Sequence, residues 1–220
     1  MTAPALFIFA RPPVPGRAKT RLQPALGPVR AAALAQRMLE LCVGQATASW
    51  PGPVYLLSAG RLAHPLFADL GQRFSLRLGV QRGGNLGARM HATLMQGIAA
   101  HGAAAVMGSD IPHVPGHVLE QTYGHLRRKR PVLGPSEDGG YYFIGLSRPE
   151  AALFEGVDWG SCRVLTQTLA RAEARGLWFE RLPALRDIDT WEDLQQVART
   201  FAPLAPFVQP RAGEEQGVPK

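Results

Sequence analysis

The sequence predicts an α/β fold with a mixed, mainly parallel sheet, and three observations carry that prediction. Runs rich in β-forming residues alternate with stretches of helical apolar period, as parallel βαβ units require. The chain has 220 residues, which suits one well-buried domain, whereas two domains would each have a thin core. Hydrophobic residues make up 46% and charged residues 19%, a balance that excludes a mainly disordered chain.

Strands are expected at 6–10, 54–58, 74–80, 103–108, 132–134, 141–146 and 178–182. Helices are expected at 28–48, 62–70, 86–101, 115–128, 162–175 and 190–201. The first run is apolar but too short for a signal segment and has no basic stretch before it. It reads as a buried strand, so a cytoplasmic location is expected. Pro28 suits a first helical position, and Thr190 can cap the last helix with Asp193 as partner. The run at 141–146 follows another strand closely, which is why the sheet is expected to be mixed. Residues 1–202 read as the domain, and 203–220, with Pro203, Pro206, Pro210 and Pro219, as a Pro-rich tail. No apolar stretch is long enough to span a membrane.

The net charge of +7 raises the question of nucleic acid. The dense run Arg127–Arg130 falls at a predicted helix end, where cations complement the dipole. No aromatic interleaving accompanies it, so a nucleic-acid partner is not expected. An anionic small molecule explains part of the charge more economically. Cys42 and Cys162 match no zinc, haem or redox spacing, and Cys42 reads as a small buried hydrophobe.

Four elements can carry chemistry. The loop from Arg11 to Arg21 leaves the first strand, where ligands of open α/β sheets bind. It offers Arg11, Arg17, Lys19 and Arg21, together with the backbone around Gly16, to phosphates. It is neither a Walker loop nor a dinucleotide-binding G-x-G-x-x-G, and the alternative is a solvated basic loop. The second element is Val106-Met-Gly-Ser-Asp110-Ile-Pro112, a strand that ends in one acid able to reach a divalent cation. Asp110 alone could equally cap a turn.

The third element, Gly134 to Tyr142, contains Gly139 and Gly140, which permit close backbone approach to a ligand. Glu137 or Asp138 there could act as a base or contact a sugar hydroxyl, and the competing reading is a plain Asp-Gly turn. The fourth is Arg186-Asp-Ile-Asp189-Thr190. If this segment is extended, Asp187 and Asp189 share one face; one could complete a metal site and the other cap the following helix. The glycine-rich stretch from Gln81 to Met90, before a helix, is a further place to meet a nucleobase or phosphate. His113 and His117 lie four apart, but Pro115 and Gly116 spoil a helical zinc spacing, and neither is read as a ligand.

Taken in order, these motifs resemble a known set. Pro-Gly-x-x-Lys-Thr-Arg-Leu follows the first strand, then come Gln-x-Gly-x-x-Leu-Gly-x-Arg-Met, Gly-Ser-Asp-x-Pro, Glu-Asp-Gly-Gly-Tyr-Tyr, Trp159 ahead of Val164, and Asp-Ile-Asp-Thr. The chain is similar to DUF2064, a bacterial family of nucleotide-diphospho-sugar transferases within the glycosyltransferase-A superfamily. The basic loop also looks like that of 2-phospholactate and molybdenum-cofactor guanylyltransferases.

The resemblance implies one Rossmann-like three-layer sandwich with a nucleotide bound in its N-terminal half. Arg11, Gly16, Lys19 and Arg21 would face phosphates. Gln81 and Gly87 would lie near the base. Asp110 and Asp189 would hold Mg²⁺ or Mn²⁺. Asp138 would be the catalytic base, and Gly139, Gly140, Tyr141 and Trp159 would form the acceptor side. Asn85 departs from the acid the pattern leads one to expect, and no D-x-D stands at Asp110. The reaction implied is glycosyl transfer from a nucleotide-diphospho-sugar. The alternatives are nucleotidyl transfer from a nucleoside triphosphate with loss of pyrophosphate, or a non-catalytic nucleotide-binding module.

Overall fold

The structure is a computed structural model that describes residues 3–60 and 62–209. Its elements run β1 Ala5–Ala10, α1 Gln23–Ser49, β2 Val54–Ser58, α2 Pro65–Arg73, β3 Arg77–Val80, α3 Leu86–His101 and β4 Ala104–Gly108. They continue with α4 Gly116–Arg127, β5 Val132–Pro135, β6 Tyr141–Leu146, α5 Val164–Ala174, β7 Glu180–Arg181, α6 Trp191–Thr200 and α7 Ala205–Val208.

Among the described residues the strands form one sheet in the order β3-β2-β1-β4-β6-β5-β7. β1 pairs in parallel with β2 and β4, and β2 with β3. β6 runs antiparallel to β4 and β5, because a short turn joins it to β5 and permits a hairpin, not a crossover. β7 is parallel to β5. The mixed, mainly parallel sheet expected from the sequence is therefore what the chain forms.

Alternation along β1 explains the three layers. Leu6, Ile8 and Ala10 enter a core with α1, α2 and α4, through Leu39, Cys42, Val43, Leu66, Phe67, Val118 and Leu119. Ala5, Phe7 and Phe9 enter the opposite core with Met90 and Leu94 of α3 and Ala172 of α5. Both faces of β1 are buried, as a central parallel strand with helices on each side requires. A third cluster joins the start of α1 (Leu26, Ala31, Leu34, Met38) to Ile188, to Leu194 and Val197 of α6, and to Leu204. It clamps the segment before α6 against the rest of the molecule.

Element ends depart from the sequence expectation where local geometry wins. α1 starts with a short turn and breaks at Gly27 (φ 72°), so Pro28 opens the long straight part. Phe74 ends α2 instead of opening β3: its N–H donates to the Leu70 carbonyl, and Ser75 turns left-handed at φ 52°. Trp178 is 72% exposed and outside β7, so the last strand is shorter than its apolar pattern suggests. Pro203 to Gln209 does not simply leave the body, since Leu204 is fully buried and an Arg30 guanidinium N–H donates to the carbonyls of Pro206 and Gln209. The rest of the expected tail, from 210, lies outside the described residues. No helix among the described residues is long and apolar enough to cross a membrane.

Candidate active site

The strand order reverses direction at β1: the chain moves outward through β2 and β3, then returns to lay β4 on the other side. The connections leaving β1 and β4 therefore diverge, and a crevice opens beyond their carboxyl ends. The loop after β1 carries the basic residues, and β4 ends at Gly108, directly ahead of Ser109 and Asp110. Sequence separation is large, but strand register makes the two loops neighbours.

Lys19 is the residue that turns inward. Its backbone is left-handed (φ 44°, ψ 51°), and its side chain is only 10% exposed. Nζ donates to Asp110 Oδ1 at 2.7 Å, to the Ile188 carbonyl at 2.5 Å and to Asp189 Oδ1 at 3.0 Å. Burial by itself would lower the ammonium pKa, but the Asp110 and Asp189 carboxylates outweigh it, and the net shift is upward. Arg21 stays 76% exposed with a guanidinium nitrogen 3.8 Å from Asp189 Oδ2, while Arg11, Gly16 and Arg17 are exposed on the same loop. The loop is folded on itself, with Arg17 and Ala18 N–H groups donating to the Val14 carbonyl.

Asp189 is placed by the start of α6. Thr190 caps that helix in a reciprocal capping box with Asp193, as the sequence predicts. Asp193 Oδ2 accepts from the Thr190 N–H at 2.9 Å and the Asp189 N–H at 3.3 Å. Burial would raise the Asp193 carboxyl, but hydrogen bonds from Thr190 and Arg186 hold it below its ordinary value. Ile188, fully buried, donates its N–H to the Asp110 carbonyl at 3.1 Å. Cys42 sits beneath, with Sγ 3.7 Å from the carbonyls of Ser109 and Ile111; burial pushes its thiol pKa up, so it is packing rather than a nucleophile.

Two carboxylates and a carbonyl turned toward one point make an all-oxygen set, the donor type that hard divalent cations take. Among the described residues no trio of His, Cys, Asp or Glu is grouped as a metal cage. A divalent ion at Asp110 and Asp189 would therefore draw further oxygens from its ligand and water, as Mg²⁺ on phosphates commonly does.

A second acidic group lies alongside. In the turn between β5 and β6, Asp138 Oδ1 accepts from the Gly140 N–H at 2.9 Å and from Ser136 Oγ at 2.5 Å. Gly139 is left-handed (φ 88°), and a methyl group there would lie 2.2 Å from the Cys162 carbonyl, so glycine is required by both conformation and space. Ser136 bridges in parallel to Leu185, and the Glu137 N–H donates to the Leu185 carbonyl at 3.0 Å. That pairing draws the following acids toward the turn. Asp187 is pushed up to about 6, first by burial and then by the charges of Asp138 and Asp189. Glu137 instead pairs with Arg186 at 2.5 Å, and Arg186 also reaches Asp193 at 3.1 Å. Alternation puts Asp187 on the face of Asp189, and the 136–185 bridge brings Asp138 into range of it.

The remaining predicted residues separate into two places. Gln81 lies at the carboxyl ends of β1 and β2, its amide donating to the carbonyls of Leu57 at 2.9 Å and Ala10 at 3.4 Å. Asn85, where the pattern leads one to expect an acid, caps α3 by accepting from the Ala88 N–H at 2.8 Å, as an aspartate there could also do. Gly87, in the first turn of α3, lies beneath Trp159, where an added methyl group would meet the indole at 2.4 Å. Trp159 in turn stacks on Phe154 and meets Tyr141 edge-on, both with centroids 6.4 Å apart. Tyr141 and Trp159 thus pack into the core that contains α3, and Gly139 and Gly140 stay with the Asp138 turn.

A depression of about 470 Å³ lies elsewhere, lined by Lys129, Pro131, Arg148 and Trp178 among others. It opens beside the start of β5 and the end of β6, at the other end of the sheet from Asp110, and its lining contains no carboxylate, histidine or cysteine. The basic run nearby ends α4, as expected: Lys129 donates to the Gly102 carbonyl and Arg130 to Glu180.

Known proteins give the arrangement a context. A protein of Desulfovibrio desulfuricans G20, described as a "putative nucleotide-diphospho-sugar transferase", superimposes with a TM-score of 0.83 at 27% identity, over 91% of this chain and 88% of that one. The 4-diphosphocytidyl-2C-methyl-D-erythritol synthase of Anaerococcus prevotii DSM 20548 shares the fold at 10% identity, with a TM-score of 0.61 over 91% and 96% of the two chains. A manganese complex of a Mycobacterium tuberculosis H37Rv protein does so at 15% identity, with a TM-score of 0.53 over 91% and 100%. No curated protein matches this chain. Residues 41–161 match the pattern of DUF2064, described as an uncharacterized protein conserved in bacteria, and the chain belongs to that family.

Proposed function

We propose that the chain is a metal-assisted transferase that takes a nucleotide-diphospho-sugar donor and passes the glycosyl group to a hydroxyl acceptor. The observation that carries this reading is the convergence of Lys19, Asp110 and Asp189 on one point at the switch of strand order. The likeness to the Desulfovibrio protein supports it.

In this reading Lys19 and Arg21, with Arg11 and Arg17 at the rim and the Gly16 turn between them, receive the diphosphate. Negative charge grows on that group as the bond to the sugar breaks, and fixed cations stabilise it most at that moment. Mg²⁺ or Mn²⁺ held by Asp110 and Asp189 would add Lewis-acid stabilisation of the same leaving group. Gln81, anchored to the ends of β1 and β2, and the stretch up to Gly87 border the nucleoside. Gly139, Gly140 and, behind them, Tyr141 and Trp159 shape the acceptor side.

The base expected from the sequence was Asp138. Its Oδ1 is engaged by Ser136 and Gly140, which fixes the carboxylate as a steady neighbouring charge. Asp187, whose carboxyl is pushed up by burial and by the charges of Asp138 and Asp189, is the neighbouring carboxylate able to take the proton of an acceptor hydroxyl. We assign it that role, with Asp138 keeping it basic.

Incubation with Mn²⁺ and a panel of nucleotide sugars should release nucleoside diphosphate, and Asp110→Ala should abolish that release. Pyrophosphate release from nucleoside triphosphates under the same conditions would move the reading to nucleotidyl transfer. No turnover of either kind, with nucleotide binding unchanged by Asp110→Ala, would leave a non-catalytic binding module.

A further inference from the structure

Lys19 does more in this site than hold a charge near a phosphate. An ammonium has three N–H donors, and those of Lys19 are matched by three acceptors inside the protein: Asp110 Oδ1, the Ile188 carbonyl and Asp189 Oδ1. In this arrangement none is left for a ligand. The ammonium also stands where any cation facing both carboxylates would stand. A divalent ion and an ammonium a few ångströms apart repel in a partly buried site, so each weakens the hold of the other on the pair of carboxylates.

The rest of the loop sharpens the contrast. Arg11 and Arg17 are exposed, and Arg21 is 76% exposed. Lys19 alone is tucked in, on a left-handed backbone that a non-glycine residue adopts at a cost. Its side chain is long and flexible, and solvent is close by, since Asp110 is 57% and Asp189 42% exposed. An exchange of partners needs rotation of this side chain and no change in the sheet.

We infer that Lys19 is a built-in counter-cation that closes the metal site of the resting protein and leaves it when a diphosphate arrives. The inference rests on the transferase reading for one point, that Asp110 and Asp189 are the metal carboxylates. When phosphate oxygens enter from the side of Arg21, Lys19 trades carboxylate for phosphate. Asp110 and Asp189 are then left without a cation, and a divalent ion binds to both them and the phosphate. Metal and diphosphate therefore bind as a coupled pair. Linkage requires that each raises the affinity of the other by the same factor.

The test uses the full-length protein, Mn²⁺ alone, and Mn²⁺ with inorganic pyrophosphate. Bound Mn²⁺ is read from the loss of the free-ion magnetic resonance signal. Wild type should bind Mn²⁺ weakly by itself and about tenfold or more tighter with pyrophosphate. Lys19→Met should bind Mn²⁺ alone about tenfold or more tighter than wild type, and Asp110→Asn added to it should erase the gain. Equal Mn²⁺ affinity of wild type and Lys19→Met, still dependent on Asp110, would overturn the inference and leave the transferase reading standing. Absence of any Asp110-dependent Mn²⁺ binding, with or without pyrophosphate, would remove the metal site itself and with it both ideas.

A second measurement needs no variant. The chain has three lysines, Lys19, Lys129 and Lys220, so amine acylation followed by mass spectrometry reads Lys19 individually. With Mn²⁺ added alone, where no phosphate takes up the displaced ammonium, its acylation should be slow in the free protein and rise in step with Mn²⁺ occupancy. Unchanged acylation at saturating Mn²⁺ would also overturn the inference.

Discussion

The N–H of Ile188 donates to the carbonyl of Asp110 at 3.1 Å. That one backbone bond joins the segment before α6 to the end of β4 and sets Asp189 beside Asp110. The Ile188 side chain, fully buried with Leu22, Leu26 and Leu194, holds the bond in place. Structure and candidate chemistry thus depend on the same residue.

Ile188→Ala should therefore cost about 2–5 kcal/mol of stability, the range for deleting a buried aliphatic side chain. Urea denaturation measures it. Nucleotide affinity at temperatures where the variant is still folded should fall as well, because Asp189 loses its anchor. Full affinity in a destabilised variant would show that the anchor is structural only.

Asp187 makes a pH-dependent prediction. Its carboxyl titrates at about 6 in the folded chain against 3.8 ordinarily, so the folded state holds the proton more tightly. Below pH about 4 both states are protonated and nothing is lost; as pH rises from about 4 to about 6, the penalty of the buried charge develops. Asp187→Asn should thus melt above wild type at pH 7.5, with the difference closing as pH falls toward 4. If Asp187 is the base, Asp187→Asn should lose most of kcat with KM little changed. A variant that is stabilised yet fully active would separate the electrostatic strain from catalysis.

Gly87 and Trp159 form a steric pair. Gly87→Ala would place a methyl group 2.4 Å from the indole and should cost about 1–3 kcal/mol. In a Trp159→Ala background the same change should cost much less, giving a coupling energy in a double-mutant cycle. Additive effects would mean that the indole simply swings aside.

Thr190 is a cap with a second duty. Thr190→Ala removes its half of the capping box with Asp193 and should cost about 1 kcal/mol. Thr190→Ser should restore most of it. The same variant should weaken nucleotide binding in the presence of Mn²⁺, since Asp189 immediately precedes the cap.

Much of this protein was legible as sequence because local rules fix it. Apolar period placed the helix at Leu86–His101 and the strands at Val54–Ser58 and Tyr141–Leu146, since a face that must be buried repeats with the pitch of its element. Thr190 with Asp193 announced a helix start, and Pro28 the straight part of α1, because capping and fixed φ act within one turn. The position of the loop after the first strand marked Lys19 and its neighbours. What the sequence could not supply was which residues meet. Lys19 reaches Asp110 and Asp189 across 91 and 170 positions only because β4 lies beside β1 and the third apolar cluster holds the segment before α6 against α1. Asp187 acquires its raised pKa first from burial and then from the charges of Asp138 and Asp189, with the Asp138 turn drawn close by the bridge from Ser136 to Leu185. Alternation and capping are properties of a few neighbouring residues, whereas the electrostatics of a site depend on distances in space, and those are set by strand order and core packing.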